Sequence, residues 1–388
     1  MGAYYRRYLI TATVTRLGDS MWLGVVLVVL ARTHDAVLAG ATLAAATLPT
    51  LISAPLLGAW LDRSSHRRAA LALNQLMLAT CVLGLLALAG RAPVVATLAC
   101  AALAGLTQPL VTGGMSSMIP ALVAPERVPR ACAAESVTYD VAEVAGPALA
   151  GGLAAVIAPA AALVAQAAVA LAGLALVAGL PAIPAAAGAA PDLRSALSAG
   201  LRALVTSRPL RSATLVSVLV AGAGGLLAVA VPELARRLTG NASAAGLLFA
   251  VMALGSMAGA ALLPVTQRRW PTHRIVVAAA LAEGVGWGTL AFAGPGPFAY
   301  GLLVFAGVAS GLAVAAVFAV RTEHAPERVR AQVFTSAAGL KVGASAIGSA
   351  ASGVLVAAGG LALPLGAAAA TCAVAVAAGT LAAAPARA

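Results

Sequence analysis

Charge is what this sequence has least of. Asp, Glu, Lys and Arg together make up 9% of its 388 residues, far below the share that a soluble domain needs to cover its surface. Hydrophobic residues reach 62% and the mean hydropathy is +0.99, which leaves one class, an integral membrane protein of many spans. Lysine is nearly absent: Lys341 is the only one, so arginine carries almost all the positive charge. Cysteine is scarce as well. Cys81, Cys100, Cys132 and Cys372 fall inside or at the ends of apolar runs, with neither metal-ligand spacing nor a disulfide framework. Aromatic residues at 4% argue against a large aromatic-lined cavity. There is no glycine loop followed by lysine to cradle a phosphate, no nucleophile elbow and no acid-rich metal motif. Those absences exclude the common enzyme and ATP-driven classes, and no cofactor or metal is expected.

The formal net charge of +12 raises nucleic acid as a partner. The arginines reject it, because they are scattered through short turns between apolar runs rather than gathered in a stripe. They follow the positive-inside rule instead, and the partner they imply is the lipid bilayer. Near the ~20-residue spanning length, the apolar runs are drawn at 8–31, 36–61, 69–90, 93–123, 131–157 and 160–182, then at 210–234, 243–265, 273–293, 297–320, 332–358 and 361–384. The turns holding Arg63, Arg67, Arg68, Arg127, Arg130, Arg268, Arg269, Arg274, Arg328 and Arg330 fall on one side, while Arg32, Arg91, Arg236 and Arg237 fall on the other. Both termini are therefore expected in the cytoplasm. The first apolar run is expected to be retained as a span, since Arg16 and Asp19 interrupt it and no convincing cleavage site follows.

Between the two sets of six runs lies an Ala/Pro/Gly-rich stretch and then DLRSALSAGLRALV, which places Leu193, Leu197, Leu201 and Leu204 on one helical stripe. This predicts an amphipathic helix on the cytoplasmic surface. The expected organisation is a six-helix half over 1–182, a linker over 183–209 and a second six-helix half over 210–388. An internal repeat supports the division. Ala124-Pro-Glu-Arg-Val128 recurs as Ala325-Pro-Glu-Arg-Val329, a shift of 201 that also carries Gly58 onto Gly259, Arg67-Arg68 onto Arg268-Arg269 and Gly152 onto Gly353.

The turn from Gly58 to Arg68, GAWLDRSSHRR, carries more than topology requires. Gly58 permits close helix approach, Asp62 can oppose the positive end of a neighbouring helix, and the basic cluster can pair with carboxylates or helix C-termini. Gly58, Asp62 and Arg63 followed by Arg67 and Arg68 resemble the loop between helices 2 and 3 of major facilitator superfamily transporters. The chain departs from the usual pattern at Trp60, Ser65 and His66. The resemblance implies an all-α fold of twelve transmembrane helices in two parallel halves, with this loop controlling the conformational change. A second segment, Gly146-Pro147-Ala148-Leu149-Ala150-Gly151-Gly152, resembles the Gly-Pro signature in helix 5 of antiporter-type members. There proline bends a span and Gly146, Gly151 and Gly152 would give a flat packing face.

Charges inside spans are costly and point to function by default. Arg16 and Asp19 lie three residues apart in the first run and can pair. Glu135, Asp140 and Glu143 lie in the fifth, Glu283 in the ninth and Lys341 in the eleventh. Counting ~1.5 Å per residue from the cytoplasmic ends puts Asp19, Asp140, Glu283 and Lys341 at similar depths, roughly 14–16 Å. Glu135 is shallower and is expected to cap its helix or pair with Arg130. Asn74, Gln75, Gln108 and Gln166 are expected to bond between helices.

Together with the resemblance this implies a secondary transporter of the drug and metabolite efflux branch, exchanging protons for a small-molecule substrate. Asp19 and Asp140, then Glu143, are the coupling candidates, and Arg16 and Lys341 are the charges expected in the cavity. A proton symporter on the same fold and a non-transporting membrane protein are the alternatives. The expected form is a multi-pass monomer in the cell membrane.

Overall fold

The computed structural model describes residues 3–64, 66–116, 118–180, 201–326 and 330–383. Among the described residues there is no strand, and twelve helical segments follow the apolar runs. Among the described residues, ten helices are long and apolar enough to cross a bilayer on length and composition alone. The fifth, Val128–Val156, and the ninth, Thr272–Leu290, are outside that count.

Several spans are not the straight rods that the hydropathy predicts. The first is two helices, Ala3–Asp19 and Leu23–Thr33, beginning five residues before the expected boundary and broken at residues 20–22. The fourth runs as Val94–Thr107, a π-helical turn Leu110–Gly114 and a short piece Ile119–Leu122. Pro109 and Pro120 lie at these joints, and a residue without an N–H cannot extend the ladder behind it. The eighth ends as Ala245–Ala261 followed by Leu263–Gln267, with Pro264 starting the last turn. Pro147 stays inside one unbroken helix, because the bilayer leaves neighbouring helices as the only source of partners and favours keeping the ladder. The remaining spans are Ala36–Arg63, Arg67–Leu88 and Pro159–Ala178, then Arg208–Thr239, Pro297–His324, Arg330–Gly359 and Ala362–Ala383.

The chain forms two compact units, Met1–Ala190 and Pro191–Ala388. Their internal packing has one pattern. In the first unit the first span lies against the fifth and sixth, and the fourth packs on the second and third, while the third also meets the sixth. In the second unit the seventh meets the eleventh and twelfth, the tenth packs on the eighth and ninth, and the ninth also meets the twelfth. Close crossings depend on glycine. A Cβ on Gly105 would lie 1.8 Å from the Ala46 carbonyl oxygen, and one on Gly259 would lie 2.0 Å from that of Val308.

Each unit buries an apolar cluster at the end where its odd-numbered spans begin. In the first it includes Ala12, Leu61, Leu71, Met115 and Ile119. In the second it includes Ala213, Ala316 and Val320, which stand 201 residues after Ala12, Met115 and Ile119. Most of the expected surface helix over 192–205 lies outside the described residues. Residues 201–206 are helical, with Leu201 exposed and Leu204 buried in the second cluster.

Candidate functional site: buried charges beside a broken first span

The first span organises the site. Its leading helix is anchored by two tyrosines. Tyr5 donates to the Ala131 carbonyl at 2.7 Å and stacks on Tyr8, whose hydroxyl donates to Glu135 at 2.7 Å. Asp19 is the last residue of this helix, and Ser20 to Trp22 form a single tight turn. Such a break leaves backbone carbonyls without helical partners in a setting without water, so the neighbours must supply them. Gln166 of the sixth span does so, donating to the Gly18 carbonyl at 2.9 Å. Gly146 of the fifth span lets the turn seat against it: a Cβ there would lie 2.6 Å from Ser20 Cβ and 2.8 Å from the Ser20 carbonyl oxygen. The Gly-Pro segment of the fifth span and the acid of the first, read separately from the sequence, therefore meet at one place.

By spacing Arg16 can pair with Asp19, three residues on. It pairs instead with Glu135 of the fifth span, Nη2 to Oε1 at 2.5 Å. The reason is azimuthal. Glu135, Thr138 and Tyr139 occupy one face of the fifth span at i, i+3 and i+4, and the guanidinium is held by all three. It donates to Thr138 Oγ1 as well as to Glu135, and its Cζ lies over the Tyr139 ring at 3.6 Å from the centroid. Glu135 is thus neither a helix cap nor peripheral. Its Oε1 accepts from Arg16, from Tyr8 and, at 2.8 Å, from Ser116 of the fourth span. The Thr112 carbonyl, in the π-helical turn just before Ser116, accepts from Tyr139 Oη and is the alternative acceptor, at 3.0 Å, for the single Ser116 hydroxyl proton. Both charges are buried, Arg16 2% and Glu135 5% exposed, so the pair stands almost fully desolvated.

Asp19 is left out of this network. It is 8% exposed, and its Oδ2 has no hydrogen-bond partner among the described residues. The other coupling candidates stand differently. Glu143 is on the fifth span and exposed, and the side chain of Asp140 lies outside the described residues. In the second unit Glu283 is buried on the ninth span, where Lys341 of the eleventh acts on it electrostatically and Trp287 lies one turn on.

The loop after the second span is described in part. Arg67 is buried and its Nε donates to the Leu61 carbonyl at 3.1 Å, closing the C-terminus of the helix Ala36–Arg63. Arg68 reaches the Leu180 carbonyl at 3.4 Å, at the end of the sixth span. The surroundings of Gly58 and the side chains of Asp62 and Arg63 lie outside the described residues. In the fifth span the expected flat face of three glycines does not hold as a unit, because a Cβ on Gly152 would meet nothing within 4 Å. Two of the four amides expected to bond between helices do so, Asn74 to Thr107 at 3.0 Å and Gln166 as above, whereas Gln75 donates to its neighbour Asn74 on the same helix at 2.7 Å.

Six residues of these networks escaped the sequence reading: Tyr8, Ser116, Thr138 and Tyr139 in the first unit, Ser217 and Arg321 in the second. Rarity was the available signal for the tyrosines, five in 388 residues. Arg321 sat one residue beyond the expected end of the tenth span. It lies inside the helix Pro297–His324, is 3% exposed, and donates to Ser217 Oγ at 2.9 Å.

Two helical units with the same internal packing, each burying charge among membrane-length helices, define a polytopic helical membrane protein. The chain belongs to the transmembrane secretion effector family of the major facilitator superfamily, whose profile matches residues 5–387. An MFS-type transporter of Sinorhizobium fredii, y4rN, is 28% identical over 360 residues, covering 90% of this chain and 87% of that one. Among solved structures, the nucleoside transporter NupG superposes with a TM-score of 0.77 at 14% identity, covering 98% of each chain. A bacterial homologue of the human lysosomal transporter Spinster gives 0.73 at 18% identity over 99% of this chain and 98% of that one. A D-xylose–proton symporter gives 0.75 at 14% over 96% and 97%. At these identities the likeness to solved structures shows the fold.

Proposed function

We propose that the protein is a proton-coupled exporter of a small molecule, working by alternating access, with Asp19 as the group that carries the proton. One observation supports this above the others. Arg16, the cation one turn away, is already matched by Glu135, and among the described residues no salt bridge reaches Asp19, a buried carboxylate at the break of the first span. A broken span is where transporters commonly place binding groups, because the backbone there faces a cavity rather than lipid. The turn at 20–22 gives Asp19 a place to meet water when the cavity opens, and a closed helix end when it does not. Export is favoured over import by the secretion family to which the chain belongs. Asp140 and Glu143, further along the fifth span, are the successors should Asp19 fail.

The test begins with a panel of antibiotics and dyes in an efflux-deficient host, to find a compound whose accumulation falls when the chain is expressed. With that compound, Asp19→Asn is expected to abolish uphill extrusion driven by a proton gradient while energy-independent exchange survives. Uphill extrusion by Asp19→Asn would pass the coupling role to Asp140 or Glu143. Compounds that accumulate more, not less, would reverse the direction. A panel in which no compound moves, with no substrate-dependent proton flux in proteoliposomes, would remove the reading.

A further inference from the structure

The third span and the first helix of the fourth, Arg67–Leu88 and Val94–Thr107, run antiparallel as a hairpin through residues 89–93. Two polar pairs cross their seam. Asn74 donates to Thr107 at 3.0 Å, and the Cys100 thiol donates to the Cys81 carbonyl at 3.1 Å. The second pair stands seven residues further along one helix and seven residues back along the other, which is two turns in each. Both pairs therefore lie on the line where the two helices face each other. Cys81 and Cys100, nineteen residues apart in the chain, are opposite partners on that line.

The sulfurs themselves meet. The two thiols are hydrogen-bonded to each other, and the Leu85 amide also reaches the Cys100 sulfur. Since the Cys100 proton goes to the Cys81 carbonyl, the Cys81 proton is the one aimed at the Cys100 sulfur. Gly84 makes the room: a Cβ there would lie 2.9 Å from Cys100 Sγ, so the sulfur rests against the bare turn 81–85 of the third span. Cys372 shows the contrasting use of a cysteine. It is buried against Gly284, whose Cβ would lie 2.6 Å from its own, with no thiol opposite it among the described residues.

We propose that Cys81 and Cys100 are a redox pair, closing to a disulfide that cross-links the third and fourth spans when a neutral two-electron oxidant, a peroxide, reaches the seam. Cys81 is 5% exposed and Cys100 half-buried, so Cys100 meets the oxidant first. Its sulfur attacks a peroxide oxygen and the O–O bond breaks. The departing oxygen leaves as water with the thiol proton, and Cys100 holds a sulfenic acid. The Cys81 sulfur then attacks the Cys100 sulfur. The S–O bond breaks, the S–S bond forms, and a second water carries off the hydroxyl with the Cys81 proton. Two thiols and one hydrogen peroxide become one disulfide and two waters; the sulfurs give up the two electrons that the peroxide gains. Reactants and products are all neutral, so no charge is stranded between the helices. The pair lies six or seven residues from the hairpin turn that carries Arg91, about 10 Å at ~1.5 Å per residue. That turn is on the arginine-poor side of the sequence, so the disulfide is expected in the half of the bilayer away from the reducing cytoplasm. The pair does not depend on the transport reading.

The experiment uses the full chain, purified in detergent, reduced, freed of reductant and exposed to hydrogen peroxide at mildly alkaline pH. Remaining thiols are blocked with a maleimide and the chain is digested with trypsin. Cleavage after Arg68, Arg91 and Arg127 separates Cys81, in peptide 69–91, from Cys100, in peptide 92–127. The expected result is loss of two of the four maleimide labels in the monomer, peptides 69–91 and 92–127 joined in the mass spectrum, and recovery of both labels on reduction. Four labels retained in the folded chain overturn the proposal. So does a link found only in a covalent dimer, or one from either residue to Cys132 or Cys372. A sulfenic-acid trap, dimedone, tests the order of attack. Cys81→Ser is expected to leave Cys100 trapped, and Cys100→Ser to leave Cys81 unmodified. The reverse pattern overturns the route through Cys100.

Discussion

The pairing of Arg16 with Glu135 can be tested by removing one charge without changing shape. Glu135→Gln keeps an oxygen that can accept from Tyr8 and Ser116, so the neutral part of the network survives. What it loses is the counter-charge of a guanidinium that is 2% exposed. Breaking a buried pair by removing one partner costs about 3–5 kcal/mol. The retained hydrogen bonds and the Tyr139 ring beneath the guanidinium place the expected loss near the lower end, about 3 kcal/mol. Arg16→Met is expected to cost a similar amount, since it strands Glu135. The double variant Arg16→Met/Glu135→Gln should lose much less than the sum, because it leaves no buried charge unpaired. The assay is unfolding of the purified chain in mixed micelles titrated with a denaturing detergent, read by near-ultraviolet circular dichroism. Glu135→Gln within about 0.5 kcal/mol of the wild type, the range of an ordinary surface change, would refute the reasoning. So would strict additivity in the double variant.

Three further outcomes follow from other parts of the molecule. Gly146→Ala is expected to impair folding or transport, because its Cβ would lie 2.6 Å from Ser20 Cβ, whereas Gly152→Ala should be silent in the same expression and transport assays. Asp62→Asn is expected to abolish transport without abolishing membrane insertion if the loop governs the conformational change; full transport activity would reduce the loop to a topology signal. Cysteines introduced at Ser198 and Asn241 should react oppositely with an impermeant reagent in intact cells, and equal labelling would contradict the expected placement of the linker in the cytoplasm.

The class of the protein, its helical segments and the repeat behind its two units were legible in the sequence, because each depends on quantities summed along the chain. Hydropathy over some twenty residues decides whether a segment prefers lipid, and a recurring pentapeptide at a fixed offset needs no structure to be seen. The two short stretches that carry the family resemblance were legible for the same reason, being contiguous. Which charges meet was not. Counting residues along a helix gives a height in the membrane and says nothing of the direction a side chain faces. Spacing allows Arg16 to pair with Asp19, three residues on; in the fold it belongs to Glu135, 119 residues away, because the fifth span turns its Glu135–Thr138–Tyr139 face towards it. The break after Asp19 was equally out of reach, since its turn is held by Gln166 and accommodated by Gly146, contacts that exist only once three spans are packed together. Arg321 shows the same limit from the other side: its sequence placed it at the edge of a span, and only burial in the assembled unit turned it into a charge that needs an answer.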